Sequence, residues 1–198
     1  MKKIQLINED LDINLDVNVK NDWNELSLDE YFRLNDLNTN KDNYSTENFM
    51  LKQIAIFSDV DSNDLGDIPI AEFNKFNDVI RVFTEKKMDN SVPDHFTIDG
   101  ECYVPKKNLT NLTTNEVIFI KTLEERTKDV KERSLSMLSI LIRPGYKKLV
   151  GGKFKYFQYK LEGDIESDIE KRKELFLKKL PVNIAVNMIT SFMNGTRE

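Results

Sequence analysis

The chain has 198 residues, 39 % of them apolar and 12 of them Phe, which is long enough for one large globular domain or two small ones. A single cysteine, Cys102, excludes an internal disulfide, and a single histidine, His95, excludes a His/Cys metal cluster. The net charge of −5 conceals a split by position: residues 1–100 carry 21 acidic and 10 basic side chains, residues 101–198 carry 13 and 19. Such a polarity speaks about partners and assembly, not about fold.

The start, MKKIQLINED, has two lysines, but its apolar stretch is broken by Gln5 and stops at Asn8, so no secretion leader is expected. The longest membrane-like run, LSMLSILI at 135–142, is eight residues, against the roughly 20 needed to span a bilayer. A soluble protein made in a reducing, cytoplasm-like compartment is expected. Twenty Asn and 22 Lys against 7 Arg suggest an AT-rich coding genome, as in many phages and low-GC bacteria.

Residues Lys2–Asn8 and Asp12–Lys20 read as a hairpin, because Ile13, Leu15, Val17 and Val19 alternate with Asn14, Asp16 and Asn18. Ser27 with Glu30 three residues on is a capping box, predicting a helix from Leu28 to about Leu37. After the loop NTNKDNYS, Ser45 or Thr46 caps a helix whose Phe49, Met50, Leu51, Ile54, Ala55, Ile56 and Phe57 are apolar almost all round, so burial is expected. Beyond an acidic turn at 58–67, Pro69 opens a helix to about Lys87, with Ile70, Phe73, Phe76, Ile80 and Phe83 at spacings of three and four. The period then changes to two around Asp99-Gly100, a strong hairpin signal.

Val130, Ser134, Met137, Leu138 and Leu141 mark a helix that stops before Arg143-Pro144-Gly145. Lys153–Leu161 reads as a strand. A charged helix over 164–179 follows, and Pro181 starts another, with Val182, Ala185, Val186, Ile189 and Phe192 on one face and Asn194-Gly195 closing it. The fold class is α+β, helix-rich, with an N-terminal and a central β-hairpin. Two lobes are expected, an acidic one over 1–92 and a basic one over 93–198, unless they merge into one continuous domain.

Three constellations invite a chemistry. In SDVDSNDLGD, Asp59, Asp61 and Asn63 occupy the first, third and fifth positions of an EF-hand loop, but Asp64 stands where the sharp turn needs glycine and Ile70 where a bidentate carboxylate is required. Caps and the helix dipole account for these acids without metal. His95 and Cys102 are the only candidates for a base and a nucleophile. On a two-residue Asp99-Gly100 turn they share a face only diagonally, about 7–8 Å apart, beyond proton-transfer reach. Gly151-Gly152-Lys153 lacks both the upstream glycine and the following Ser or Thr of a phosphate loop. In the charged helix, acids precede bases, so dipole complementation and pairs such as Asp168–Arg172 on a solvated face are expected.

The lead that remains is Arg143–Lys160, RPGYKKLVGGKFKYFQYK, with six Lys or Arg and no Asp or Glu. Five lysines interleave with Tyr146, Phe154, Tyr156, Phe157 and Tyr159, a mixture of cations and stacking surfaces that single-stranded nucleic acid uses. As a strand it would place Phe154 and Tyr156 on one face and Phe157 and Tyr159 on the other, so some of those rings are expected in the core. The residues expected to bind a partner are Arg143, Tyr146, Lys147, Lys148, Lys153, Lys155 and Lys160. No catalytic, cofactor or metal residue is assigned.

FTIDGECYVP followed by LTTNEVIFI, then a helix ending in LSILIRPGY, then ELFLKKLPVNIAVNMITSFMNG, together with QIAIFSDVDSNDLGDIPIAEF in the amino half, resembles the small phage proteins of tail and virion gene clusters, including tail-assembly chaperones. The resemblance covers about two thirds of the chain. It implies a non-enzymatic protein working through contacts with other phage structural proteins or with itself, in the cytoplasm of an infected host or in the virion. A single-stranded nucleic-acid-binding module using 143–160 is the alternative, and an enzyme ranks below both.

Overall fold

The hairpin expected at the N-terminus forms because its apolar residues alternate: in the computed structural model, β1 (Lys2–Asn8) and β2 (Ile13–Val19) pair antiparallel and turn Ile4, Leu6, Val17 and Val19 inward. Asn8 shapes the turn, its Oδ1 accepting from the N–H groups of Asp10 and Leu11. The structure describes residues 1–85, 88–89, 91–107, 111–160 and 165–195. The expected helix end at Lys87, strand end at Leu161 and first helical acid Asp164 lie outside them. The chain divides into two compact units, Met1–Asp89 and Asn90–Glu198.

In the first unit, α1 (Leu28–Thr39) begins at the predicted capping box: Ser27 Oγ accepts from the Glu30 N–H and the Glu30 carboxylate accepts from the Ser27 N–H. Replacing Ser27 by Ala should cost about 1 kcal/mol of this unit's stability, read as a lower urea midpoint, while the hairpin stays intact. Helix α2 (Thr46–Phe57) is capped by Ser45. Its expected all-round burial holds only at its C-terminal end. Ile54, Ile56 and Phe57 are buried, where the last turn meets the hairpin and Phe57 O accepts from Lys20 N at 2.8 Å, but Phe49, Met50, Leu51 and Ala55 are half-buried.

After Pro69 a short 3-10 turn, Ile70–Phe73, leads into α3 (Asn74–Glu85). Phe73, Phe76, Val79 and Phe83 face inward, while Ile70, placed by periodicity on the same face, is exposed because the 3-10 turn breaks the phase. Phe83 stacks on Phe57 at 4.4 Å and meets Trp23 edge-on at 5.0 Å, closing this core.

The second unit is built on a four-stranded antiparallel sheet in the order β3-β4-β5-β6. Strands β3 (Phe96–Ile98) and β4 (Glu101–Pro105) are joined at Asp99 (φ 51°) and Gly100 (φ 82°), the two left-handed positions a tight hairpin turn requires. Helix α4 (Thr114–Arg126), which the periodicity did not reveal, starts at a second capping box, Thr113 with Glu116. Helix α5 (Val130–Leu141) packs against α4, α6 (Ile165–Lys179) and α7 (Val182–Gly195). Its residues Leu135–Leu141 are all buried, and Val130, expected on the inner face, is exposed.

Helix α5 stops at Leu141, before Arg143-Pro144-Gly145 as expected, and the chain continues directly as β5 (Ile142–Val150), whose first residues pair with β4 and whose remainder pairs with β6 (Lys153–Gln158). Pro144 is tolerated inside the sheet with its carbonyl in use, accepting from Tyr159 N at 2.9 Å. Helix α6 is not simply a solvated face either. Arg172 and Lys173 are buried: Arg172 Nε donates to the Ser139 carbonyl at 2.9 Å, and Lys173 is ion-paired with Glu132 and Glu170. Among the described residues, no helix is long and apolar enough to cross a membrane.

Candidate functional site

Strand β4 covers only the first part of β5, pairing Pro105 with Ile142, Val104 with Arg143 and Tyr103 with Pro144. From Gly145 outward, β5 has β6 as its only strand partner among the described residues, with the register Tyr146↔Phe157, Lys147↔Tyr156, Lys148↔Lys155, Leu149↔Phe154 and Val150↔Lys153. The turn is Gly151-Gly152, at φ 60° and 76°, the mirror-image geometry a two-residue hairpin loop demands. These glycines form the turn that joins β5 to β6.

Paired residues share a face of the ribbon. One face carries Tyr146, Phe157 and Tyr159, with Tyr146 5.9 Å from Phe157 and 5.2 Å from Tyr159 between ring centroids, followed by the directly opposed Lys148 and Lys155 and by Lys153. The other carries Leu149 and Phe154, with Lys147 Nζ 4.1 Å from the Phe154 centroid, and Tyr156 stacked on His95 at 3.6 Å. The expectation that some of these rings are core is overturned for four of the five. Phe154 is 63 % exposed, Tyr159 55 %, Tyr146 40 % and Phe157 36 %, since from Gly145 outward β5 runs beyond its pairing with β4. Tyr156 is half-buried, beside a cleft of about 300 Å³ lined also by Asp94, Val104, Pro105, Lys107, Phe154 and Lys155.

Lys147, Lys148, Lys153, Lys155 and Lys160 are all exposed. None forms an ion pair among the described residues. Two like charges directly opposite across a two-stranded ribbon oppose its formation. The ribbon therefore carries a charge cost that an anionic partner would relieve.

Arg143 belongs to a different environment, and its reading as a surface contact is corrected. It is 7 % exposed, its Nη2 donating to Glu116 Oε1 at 2.6 Å and to Gln158 Oε1 at 2.7 Å. Glu116 Oε2 also meets Lys106 Nζ at 2.5 Å and the Thr113 N–H at 2.6 Å. Gln158 Nε2 completes the set by donating to the carbonyls of Val104 and Leu141. Burial alone would raise the Glu116 pKa. The Lys106 hydrogen bond, the Thr113 N–H and the charges of Arg143 and Lys106 outweigh it and hold the carboxyl below the usual range. This cluster ties α4 to the root of β5 and β6, so Arg143 positions the ribbon from beneath.

Comparison with known proteins finds no matching family model, no significantly similar curated protein and no significantly similar solved structure.

The other candidates resolve into local structure. Asp59 accepts from the backbone and side chain of Asn18 at 3.2 and 2.9 Å, bonds that hold its carboxyl below the ordinary value, and Asp61 accepts from Asn63 N at 2.8 Å. Among the described residues, no group of three or more His, Cys, Asp or Glu side chains is arranged to hold a metal ion. Cys102 sits opposite Thr97, while the His95 ring lies on Tyr156. A signal that sequence reading missed was Gly151-Gly152, a pair of the kind that joins hairpin strands and so marks the turn of the ribbon.

Proposed function

We propose that this is a non-enzymatic phage structural or assembly protein that works through protein contacts, with the β5–β6 ribbon as its contact surface. One observation carries the reading: a two-stranded ribbon with rings and unpaired lysines exposed on both faces, anchored by a buried ion cluster at its root. Exposed aromatics with a cationic rim supply the anchors and the steering that a protein interface uses. The phage assignment rests on the resemblance of the sequence signals, and the genes flanking the coding sequence test it: neighbours encoding tail or capsid parts are expected.

The contact role is tested with an immobilised acidic polypeptide, poly-L-glutamate, as probe. Retention of the full chain should fall steeply with salt and disappear when Lys147, Lys148, Lys153 and Lys155 are all replaced by Glu. Retention that survives the replacement would remove the ribbon from the reading.

A second reading, binding of single-stranded nucleic acid, is favoured by the exposure of four rings where few were expected. Anisotropy of a labelled oligo-dT would then show log affinity falling linearly with log salt. The first unit, with 19 acidic against 10 basic side chains (net −9), works against that partner.

A further inference from the structure

Taking the ribbon as a protein contact surface, we infer that its occupant is the acidic face of the first unit of a second copy of this chain. That face is assembled around the β1–β2 turn. Asn8 Nδ2 donates to the Asp67 carbonyl at 2.5 Å and Ile7 N donates to Glu72 at 2.9 Å, which brings Asp67 and the Ile70 turn beside the hairpin end. Glu9, Asp10, Asp12 and Asp67 are all exposed there. None makes an ion pair among the described residues.

Charge is only half of the match. Ile7, Leu11 and Ile70, exposed by 37, 57 and 58 %, lie among those acids, so the face is an apolar patch with an acidic rim. The ribbon shares the apolar centre and reverses the charge of the rim: exposed rings and Leu149 lie within a rim of lysines. Apolar centre meeting apolar centre, with rims of opposite sign, is the anatomy of a specific protein interface, and the charges fix its orientation. A nucleic acid would satisfy the lysines but would leave the apolar patch of the first unit uncovered.

Ribbon and acidic face are different surfaces, so the contact is head-to-tail. Each copy offers one of each, which produces rings where the rotation closes and open filaments where it does not. Pairing of two ribbons along their β6 edges is opposed by Lys153 and Lys155 on that edge.

The test is sedimentation velocity on the full chain over a range of concentrations, at low and high salt, with two charge-reversal variants. One carries K148E, K153E and K155E; the other carries E9K, D10K and D12K. All six positions are exposed, and circular dichroism confirms that each variant is folded before use. Wild type should associate at low salt and dissociate at high salt. Each variant alone should remain monomeric, and mixing the two should restore association, because each then presents what the other has lost. A monomeric wild type, association unchanged in either variant, or a mixture that stays monomeric would overturn the proposal. If the monomer is still retained on poly-L-glutamate through its lysines, self-docking falls and the contact reading stands. Without retention, both fall. Ribbon-dependent binding of oligo-dT by a monomeric wild type would likewise overturn self-docking and transfer the ribbon to nucleic acid.

Discussion

Replacing Glu116 by Ala should destabilise the second unit by about 3–5 kcal/mol, the cost of leaving buried cations without their counter-charge. The buried Arg143 and the half-buried Lys106 both converge on this carboxylate, which is fully buried. Since whole domains are stable by only about 5–15 kcal/mol, the variant should show a sharply lowered urea midpoint or fail to fold. The neutral, isosteric Glu116→Gln keeps the shape and removes the charge. It should therefore fold with reduced stability and give a measurable comparison.

The same carboxyl makes a pH signature. Its pKa in the folded protein lies below the unfolded value of about 4.3, so its contribution is fully present above that value and is lost as pH falls through the folded one. Wild type should lose stability on acidification below about pH 4.3, and Glu116→Gln should lose less of it in the same window. Equal pH profiles for the two proteins would show that the cluster does not carry this linkage.

Replacing Gly145 by Ala is the second large effect, and its cause is steric. A Cβ at this position would run into the carbonyl oxygen of Phe157 and would sit 2.5 Å from Val104 Cγ2. The backbone of β6 and a buried side chain of β4 would both have to move, costing about 1–3 kcal/mol. Gly145 lies where β5 leaves β4, so the loss should be local. Native-state hydrogen exchange should accelerate across β5 and β6 while α5 and α7 stay protected. Uniform acceleration over the whole second unit would show that ribbon and core unfold together.

Much of the scaffold was legible because its signals are local. The alternation around Val17 and Val19, the Ser27–Glu30 capping box and the Asp99-Gly100 turn each depend on residues a few positions apart, and each appears as expected. Two local signals of the same kind went unused. Thr113–Glu116 marks α4 as plainly as Ser27–Glu30 marks α1, and Gly151-Gly152 marks a turn as plainly as Asp99-Gly100.

The candidate site was legible as a composition and illegible as a surface. Six cations and five rings in eighteen residues are plain in the sequence from Arg143 to Lys160. Periodicity said that alternate rings should be buried, since a strand usually lies on a core. Arg143 looked like one more exposed cation in the run. The two inferences failed for opposite reasons: the rings lie where β5 runs beyond β4, so alternation no longer separates inside from outside, whereas Arg143 lies where β4 still pairs with it and Glu116 takes its charge into the interior.

By itself, the sequence determined the α+β class, most element boundaries, the separation of acidic from basic charge and the concentration of lysines and rings at 143–160. Those properties follow from composition, spacing and short-range hydrogen bonding. Only the tertiary structure decided which of those residues are free. The sheet order ends β4 three pairs along β5, the α4 carboxylate takes Arg143 into the interior, and the rest of the segment is left as a ribbon wet on both faces. Burial is set by what packs on a strand from distant parts of the chain, and no pattern within the strand encodes it.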